Sequence, residues 1–240
     1  FINVFNDSAE PVQGANVSII NTLLDPDLTI NDVTGNDGWL RIVDTPTGTV
    51  AYNITITKPG YSTAGTGGLK APASVSTQQV TEIFFSIDQL ANLDIKTVNS
   101  ACVALGGTDF NIHIDKLIST NPDVYKYSQN LTTDGAGLKS LTGLEFGKYY
   151  LDFTGSGYDL AGAGPVLPLK LNPGASQTVT AVLRPHVATS LLVSVLDSGT
   201  SLPLSDASVR LYDGTYDKTL TTGLGYTRQT DWSGGSGQLN

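Results

Sequence analysis

Side chains able to carry chemistry are few in this chain of 240 residues. The histidines are His113 and His186, and the one cysteine is Cys102. A zinc site needs three or four clustered ligands, and a catalytic thiol needs a base in reach. His113 and His186 fall far apart on segments read as a strand face and a linker, and Cys102 is expected as a small buried or half-buried apolar residue. No G-x-S-x-G nucleophile elbow is present. Oxygen ligands of the kind Ca²⁺ prefers do gather in one stretch, where Asp25, Asp27, Asp32 and Asp37 stand among Asn31 and Asn36. These four aspartates are the candidate calcium ligands, although their spacing is not that of the twelve-residue helical loop. No other cofactor is implied. A Lys–Asn amide cross-link would need a lysine and an acid such as Lys96 and Glu145, but the closing strand at 178–183 offers no asparagine. Trp39, Tyr61, Tyr158 and Trp232 are candidate stacking platforms for sugar rings, with Tyr125 and Tyr127 beside them. Trp39, directly after a turn, is read first as a core residue.

The elements that must hold these residues are strands. Hydrophobic residues make up 40% of the chain and charged residues 15%, enough apolar material for ordered cores. Val, Ile, Thr and Tyr recur, as a pleated and half-buried surface requires. The net charge is −9, which argues against nucleic acid and against docking on anionic lipid. A single cysteine excludes an intrachain disulfide. No run approaches the ~18 apolar residues of a membrane helix. The chain opens at Phe1 and contains no methionine, so it reads as a processed or excised piece.

One pattern occurs three times. Phe1 to Asp7 followed by Pro11 to Ile19 matches Leu191 to Asp197 followed by Pro203 to Leu211; Leu93 to Val98 followed by Thr108 to Ile114 is a more diverged copy. Each is a strand, a polar turn and a second strand, with apolar residues alternating as in Val193 and Val195. An Asp–Gly turn block follows at Thr34–Ile42, at Thr132–Leu141 and, in the third copy, at Gln229–Gly237. A third block ends on a Gly–Tyr corner in the first two copies, at Tyr61 and Tyr158. Closing strands are expected at Val80–Ile87 and Gln177–Leu183. This gives about seven strands in about 90 residues, the spacing of a β-sandwich. The units are expected at 1–88, 89–184 and 185–240, the last incomplete and so either cut from a longer array or closed by another chain.

Pro11 to Ile19, Thr34 to Trp39 and Val50 to Tyr61 together resemble the carboxypeptidase regulatory-like domain, a transthyretin-like sandwich similar to the repeats of collagen-binding adhesins. The resemblance extends through Thr132 to Tyr158, Leu171 to Leu183, Leu191 to Leu211 and Thr230 to Gly237. It implies an all-β fold of tandem Greek-key-type, prealbumin-like sandwiches, Ig-like in architecture. It implies no catalytic residue, because its motifs are turn glycines and core positions. The expected role is that of a stalk, spacer or adhesion segment of a bacterial cell-surface, secreted or pilus-associated protein, not of an enzyme. Its expected partners are a host or neighbouring-cell protein or glycan and adjacent units or subunits, with no nucleic acid and no membrane insertion by this segment. Two alternatives stand beside it: an array of carbohydrate-binding modules, and a pilin-like subunit whose last unit is completed in trans.

Overall fold

The computed structural model describes residues 1–188, 190–200, 202–223 and 226–230. Every regular element among them is a strand. The first stretch holds β1 (Ile2–Phe5), β2 (Asn16–Asn21), β3 (Leu28–Val33), β4 (Trp39–Leu40), β5 (Gly48–Thr57), β6 (Ala64–Gly65), β7 (Ala73–Val75) and β8 (Ile83–Ser86). The second holds β9 (Ala91–Val98), β10 (Asp109–Ile114), β11 (Leu117–Thr120), β12 (Asp123–Tyr125), β13 (Ser128–Thr132), β14 (Leu138–Leu144), β15 (Gly147–Asp152), β16 (Tyr158–Gly164), β17 (Leu169–Leu171) and β18 (Ser176–Pro185). The third holds β19 (Ser190–Ser194), β20 (Ser208–Asp213), β21 (Tyr216–Thr221) and β22 (Tyr226–Thr230).

Alternation decides which face of each strand is dry. On β9 the side chains of Ala91, Leu93, Ile95 and Thr97 are buried while Asn92 and Lys96 are exposed, the period of two that a pleated strand imposes. Two sheets then close on each other in each of the first two stretches. In the first, β4-β1-β8 faces β3-β2-β5-β6, with β7 also paired to β5. In the second, β14-β9-β18-β16 faces β13-β10-β15-β17, and β11 with β12 forms a separate hairpin. Each pair of sheets encloses its own apolar cluster, one running from Ile2 to Ile87 and the other from Ala91 to Leu183. The all-β sandwich architecture expected from the strand pattern is therefore what the chain adopts.

The first and last strands of each sandwich run parallel. Ile2 lies beside Ile83 and Phe5 beside Ser86; Asn92 lies beside Ser176 and Val98 beside Val182. A parallel pair cannot be joined by a hairpin, so the whole of each sandwich serves as the crossover. The chain enters at one end and leaves at the other.

Three hydrogen-bond devices recur along the chain and explain why the repeat is visible at all. After each opening strand an Asx turn caps the backbone: Asn6 Oδ1 accepts from Ser8 and Glu10 N–H (3.0 and 2.8 Å), Asn99 Oδ1 from Ala101 and Val103 (2.9 and 3.0 Å), and Asp197 Oδ1 from Gly199 and Thr200 (3.1 and 2.7 Å). These backbone donors, with the Thr200 hydroxyl, hold the Asp197 carboxyl below its ordinary range. The chain then doubles back, with Val12 N–H on Val4 O, Leu105 on Thr97 and Leu204 on Val195, each at 2.9 Å.

The third device is a buried threonine. Thr34 Oγ1 accepts Ala15 N–H at 2.9 Å and donates to Val12 O at 2.6 Å. Thr133 does the same with Thr108 N–H (3.0 Å) and Leu105 O (3.4 Å), and Thr222 with Ala207 N–H (3.0 Å) and Leu204 O (2.6 Å). Replacing Thr34 by valine keeps the shape and strands both backbone groups in a dry site. The expected cost is about 1–3 kcal/mol, read as a lower denaturation midpoint with an unchanged slope.

These bonds correct two expectations. Thr222, ahead of β22, is the third copy's counterpart of Thr34 and Thr133 by its buried hydroxyl, and Gln229 and Thr230, which open the expected turn block, belong to β22. Residues 231–237 of the expected block lie outside the described residues. Cys102 is exposed, not buried. It stands at φ 59° three residues after Asn99, as Ala9 stands at φ 62° after Asn6, so the Asx turn sends its thiol into solvent.

Candidate functional site

The segment joining the first two sandwiches is hydrogen-bonded on both sides. Asp88 is 8% exposed, and its carboxylate accepts Asp7 N–H at 3.0 Å and Gln89 N–H at 2.7 Å. Its own N–H reaches the Ser62 hydroxyl at 3.2 Å, and Ser62 N–H returns to Asp88 O at 2.8 Å. Leu90 N–H bonds to Gly60 O at 2.8 Å, while Gly174 N–H of the second sandwich bonds to Gln89 O at 3.2 Å. Tyr61 forms an isolated bridge with Gln89.

Beside this segment a groove of about 600 Å³ opens between β6 with the turn that follows it (residues 63–70), the end of β8 and the β11–β12 hairpin. Its charged lining residues are Lys70, Lys116 and Lys126, with no carboxylate. Lys70 is placed by a tight turn in which Gly67 and Lys70 exchange backbone hydrogen bonds (2.6 and 3.2 Å). Its ammonium donates to Phe84 O and lies 4.2 Å from the Phe85 ring centroid. Burial holds that ammonium below its ordinary pKa. Lys116 and Lys126 each reach Glu145, at 2.6 Å to its two oxygens, and Lys126 also donates to Thr63 O of the first sandwich. Lys116 lies 3.6 Å above the Phe146 ring. Gly68 backs directly on β11: a Cβ there would stand 2.4 Å from Ile118 O.

The groove has an aromatic rim. Phe84 is 48% exposed and meets Trp39 edge to face, with centroids 5.8 Å apart. Asn3 of β1 pairs with both, which sets the two rings on the outer face of the sheet β4-β1-β8. Trp39 is therefore half-buried outside the sandwich, and Leu40 takes the core position expected of it.

The other candidates are dispersed. Asp25 and Asp27 sit in the β2–β3 turn, whereas Asp32 pairs with Val17 near the far end of that hairpin, about 13 Å along the strand. Asp37 is engaged by Arg41 at 2.9 Å and by Trp39 N–H at 3.1 Å. An extended strand thus separates the calcium candidates, and no group of three metal-ligating acids, histidines or cysteines occurs among the described residues. Tyr61 and Tyr158 are corner residues that pack one face on the first and second core respectively. Lys58 covers the Tyr61 ring at 4.5 Å. Lys96 is exposed between Leu138 and Thr180, apart from Glu145. His186 meets Asp159 at 2.8 Å. Trp232 lies outside the described residues.

Two features escaped the sequence reading. His113 on the outer face of β10 lies between Tyr125 (4.2 Å) and Tyr150 (5.1 Å, rings 4° apart), with Asn111 at 3.3 Å from its Nδ1. The alternation of β10 places His113 outward, but the ring partners come from other strands. The lysine groove carries no local signal, since Lys70 and Lys126 belong to different sandwiches.

The fold and the groove define a class: an all-β chain of repeated two-sheet units with a cationic cleft at a unit junction. No protein-family model matches the chain, and no curated protein matches it. Among solved structures, the Bacillus anthracis TIE protein aligns at 16% identity and TM-score 0.31 over 95% of this chain, which spans 42% of that protein. The minor pilin GBS52 of Streptococcus agalactiae aligns at 15% identity and TM-score 0.34, over 75% of this chain and 86% of the pilin. A variant of the shaft pilin SpaA of Lactobacillus rhamnosus GG aligns at 15% identity and TM-score 0.31, over 78% and 98%. Likenesses of this size establish neither a family nor an activity.

Proposed function

We propose that the chain is a non-catalytic structural and adhesion segment of a bacterial cell-surface, secreted or pilus-associated protein, built of units 1–88, 89–184 and 185–240. The observation that supports this most is the parallel pairing of β1 with β8 and of β9 with β18. A unit that takes the chain in at one end and releases it at the other adds length with every copy. The bonds around Asp88 make the first joint short and directional rather than freely hinged. A net charge of −9 keeps such an array soluble.

Small-angle scattering tests this reading. The intact chain is expected to be elongated, with a radius of gyration clearly above the about 18 Å of one compact 240-residue body; a value near that figure sinks the proposal. Asp88→Ala, which leaves two backbone donors without their acceptor, is expected to broaden the distance distribution. It should also open residues 88–90 to limited proteolysis.

A second reading rests on β19. Among the described residues it pairs with β22 alone, and the edge that carries the parallel closing strand in the earlier units has no partner. A subunit closed there by a strand of another chain would give concentration-dependent oligomers that vanish when residues 185–240 are deleted.

A further inference from the structure

We propose that the groove between the first two units binds an acidic glycan, a chain of carboxylate-bearing sugars, with Lys70, Lys116 and Lys126 pairing its carboxylates and Phe84 stacking on a sugar face. This does not depend on the spacer role, which is read by scattering and not by binding.

Charge is the first argument. The chain carries 22 acidic and 13 basic residues, yet every charged residue lining this groove is a lysine. Glu145, behind two of them, is a single carboxylate shared by Lys116 and Lys126 and is 14% exposed. Lys70 has a backbone carbonyl and a ring face as partners. The cleft therefore holds an excess of positive charge between low-dielectric walls, which focuses its field on an incoming anion. Each ammonium has three donors. The bonds named above use one on Lys70, one on Lys116 and two on Lys126, and leave the rest for a ligand.

The walls argue for sugar over peptide. Peptide docking in an extended groove uses pockets for alternate side chains. Here one wall is Gly65, Gly67 and Gly68, which offers smooth backbone with the hydroxyls of Thr63 and Thr66 beside it. The rim is an exposed ring, Phe84, steadied by Trp39. Aromatic faces combined with a few converging polar groups suit a ligand that has an apolar C–H face and a hydrophilic edge.

The test is calorimetric titration of the 240-residue chain with a galacturonic acid hexamer, a neutral galactose hexamer and hexaglutamate. The uronate is expected to bind and the neutral sugar not to bind. Lys70→Gln and Phe84→Ala should each weaken the uronate at least about tenfold, with thermal melting unchanged. Because Phe84 is exposed, its variant keeps the test decisive if Lys70→Gln fails to fold. Absence of uronate binding overturns the proposal, and so does uronate binding indifferent to both substitutions. Hexaglutamate binding as tight as the uronate and insensitive to Phe84→Ala overturns it in favour of an acidic peptide.

Discussion

Replacing Ile112 by alanine is expected to destabilise the second sandwich by about 2–5 kcal/mol and leave the first sandwich where it was. Ile112 is fully buried on β10, between Gln129 of β13 and Leu151 of β15, in the cluster that runs from Ala91 to Leu183. Truncation removes three carbons from a site whose walls are strands hydrogen-bonded on both sides, so the space left behind cannot collapse. Loss of transfer energy and loss of packing then add. Trp39 lies on β4 of the first sandwich, so tryptophan fluorescence, read in a Trp232→Phe background, follows that unit. The far-UV circular dichroism transition should split, with one component moving to lower denaturant while the tryptophan transition stays. If the tryptophan transition moves equally, the two cores unfold as one body and the division into units fails.

A comparable loss is expected from Gly137→Ala. Gly137 has φ +71°, and a Cβ built there meets Thr97 O at 2.6 Å and Leu105 O at 3.1 Å. The left-handed backbone alone costs an alanine about 1–2 kcal/mol. The clash adds to it because Thr97 O and Leu105 N–H are bonded to each other and cannot yield. The total expected is about 3 kcal/mol or more. Gly107 is the control: its φ is +68° but nothing lies within 4 Å of its missing Cβ, so Gly107→Ala should cost only the backbone part. Equal melting temperatures for the two variants would show that close approach is not what requires glycine at 137. Gly38 repeats the same contact in the first sandwich, with Val4 O at 2.6 Å, and predicts the same sensitivity there.

The recurrence of Gly38 and Gly137 shows what kind of information was readable in advance. Turn glycines, Asx residues and alternating aliphatics act over a few residues, so the copies at Phe1, Leu93 and Leu191 are visible as patterns. Turn composition alone is a weaker guide: Gln229–Gly237 has the glycines of a turn, but the threonine bonded like Thr34 is Thr222, several residues earlier. Trp39 is a similar case. Alternation across a two-residue strand is too short to say which of Trp39 and Leu40 faces inward, and the answer came from the pairing of Asn3 with Trp39 and Phe84.

By itself the sequence determined the all-β class, the threefold copying and the exclusion of an intrachain disulfide, because these follow from residue types and spacings within single strands and turns. Only the tertiary structure decided what meets what. It brought Lys70 to Lys116, Lys126 and Glu145, set His113 between two tyrosines, and kept the aspartates of the β2–β3 hairpin apart. The physical reason is that strand pairing fixes these neighbours across tens of residues, through hydrogen bonds between backbone groups that every residue shares, so side-chain identities along one segment carry no record of the partners they will face.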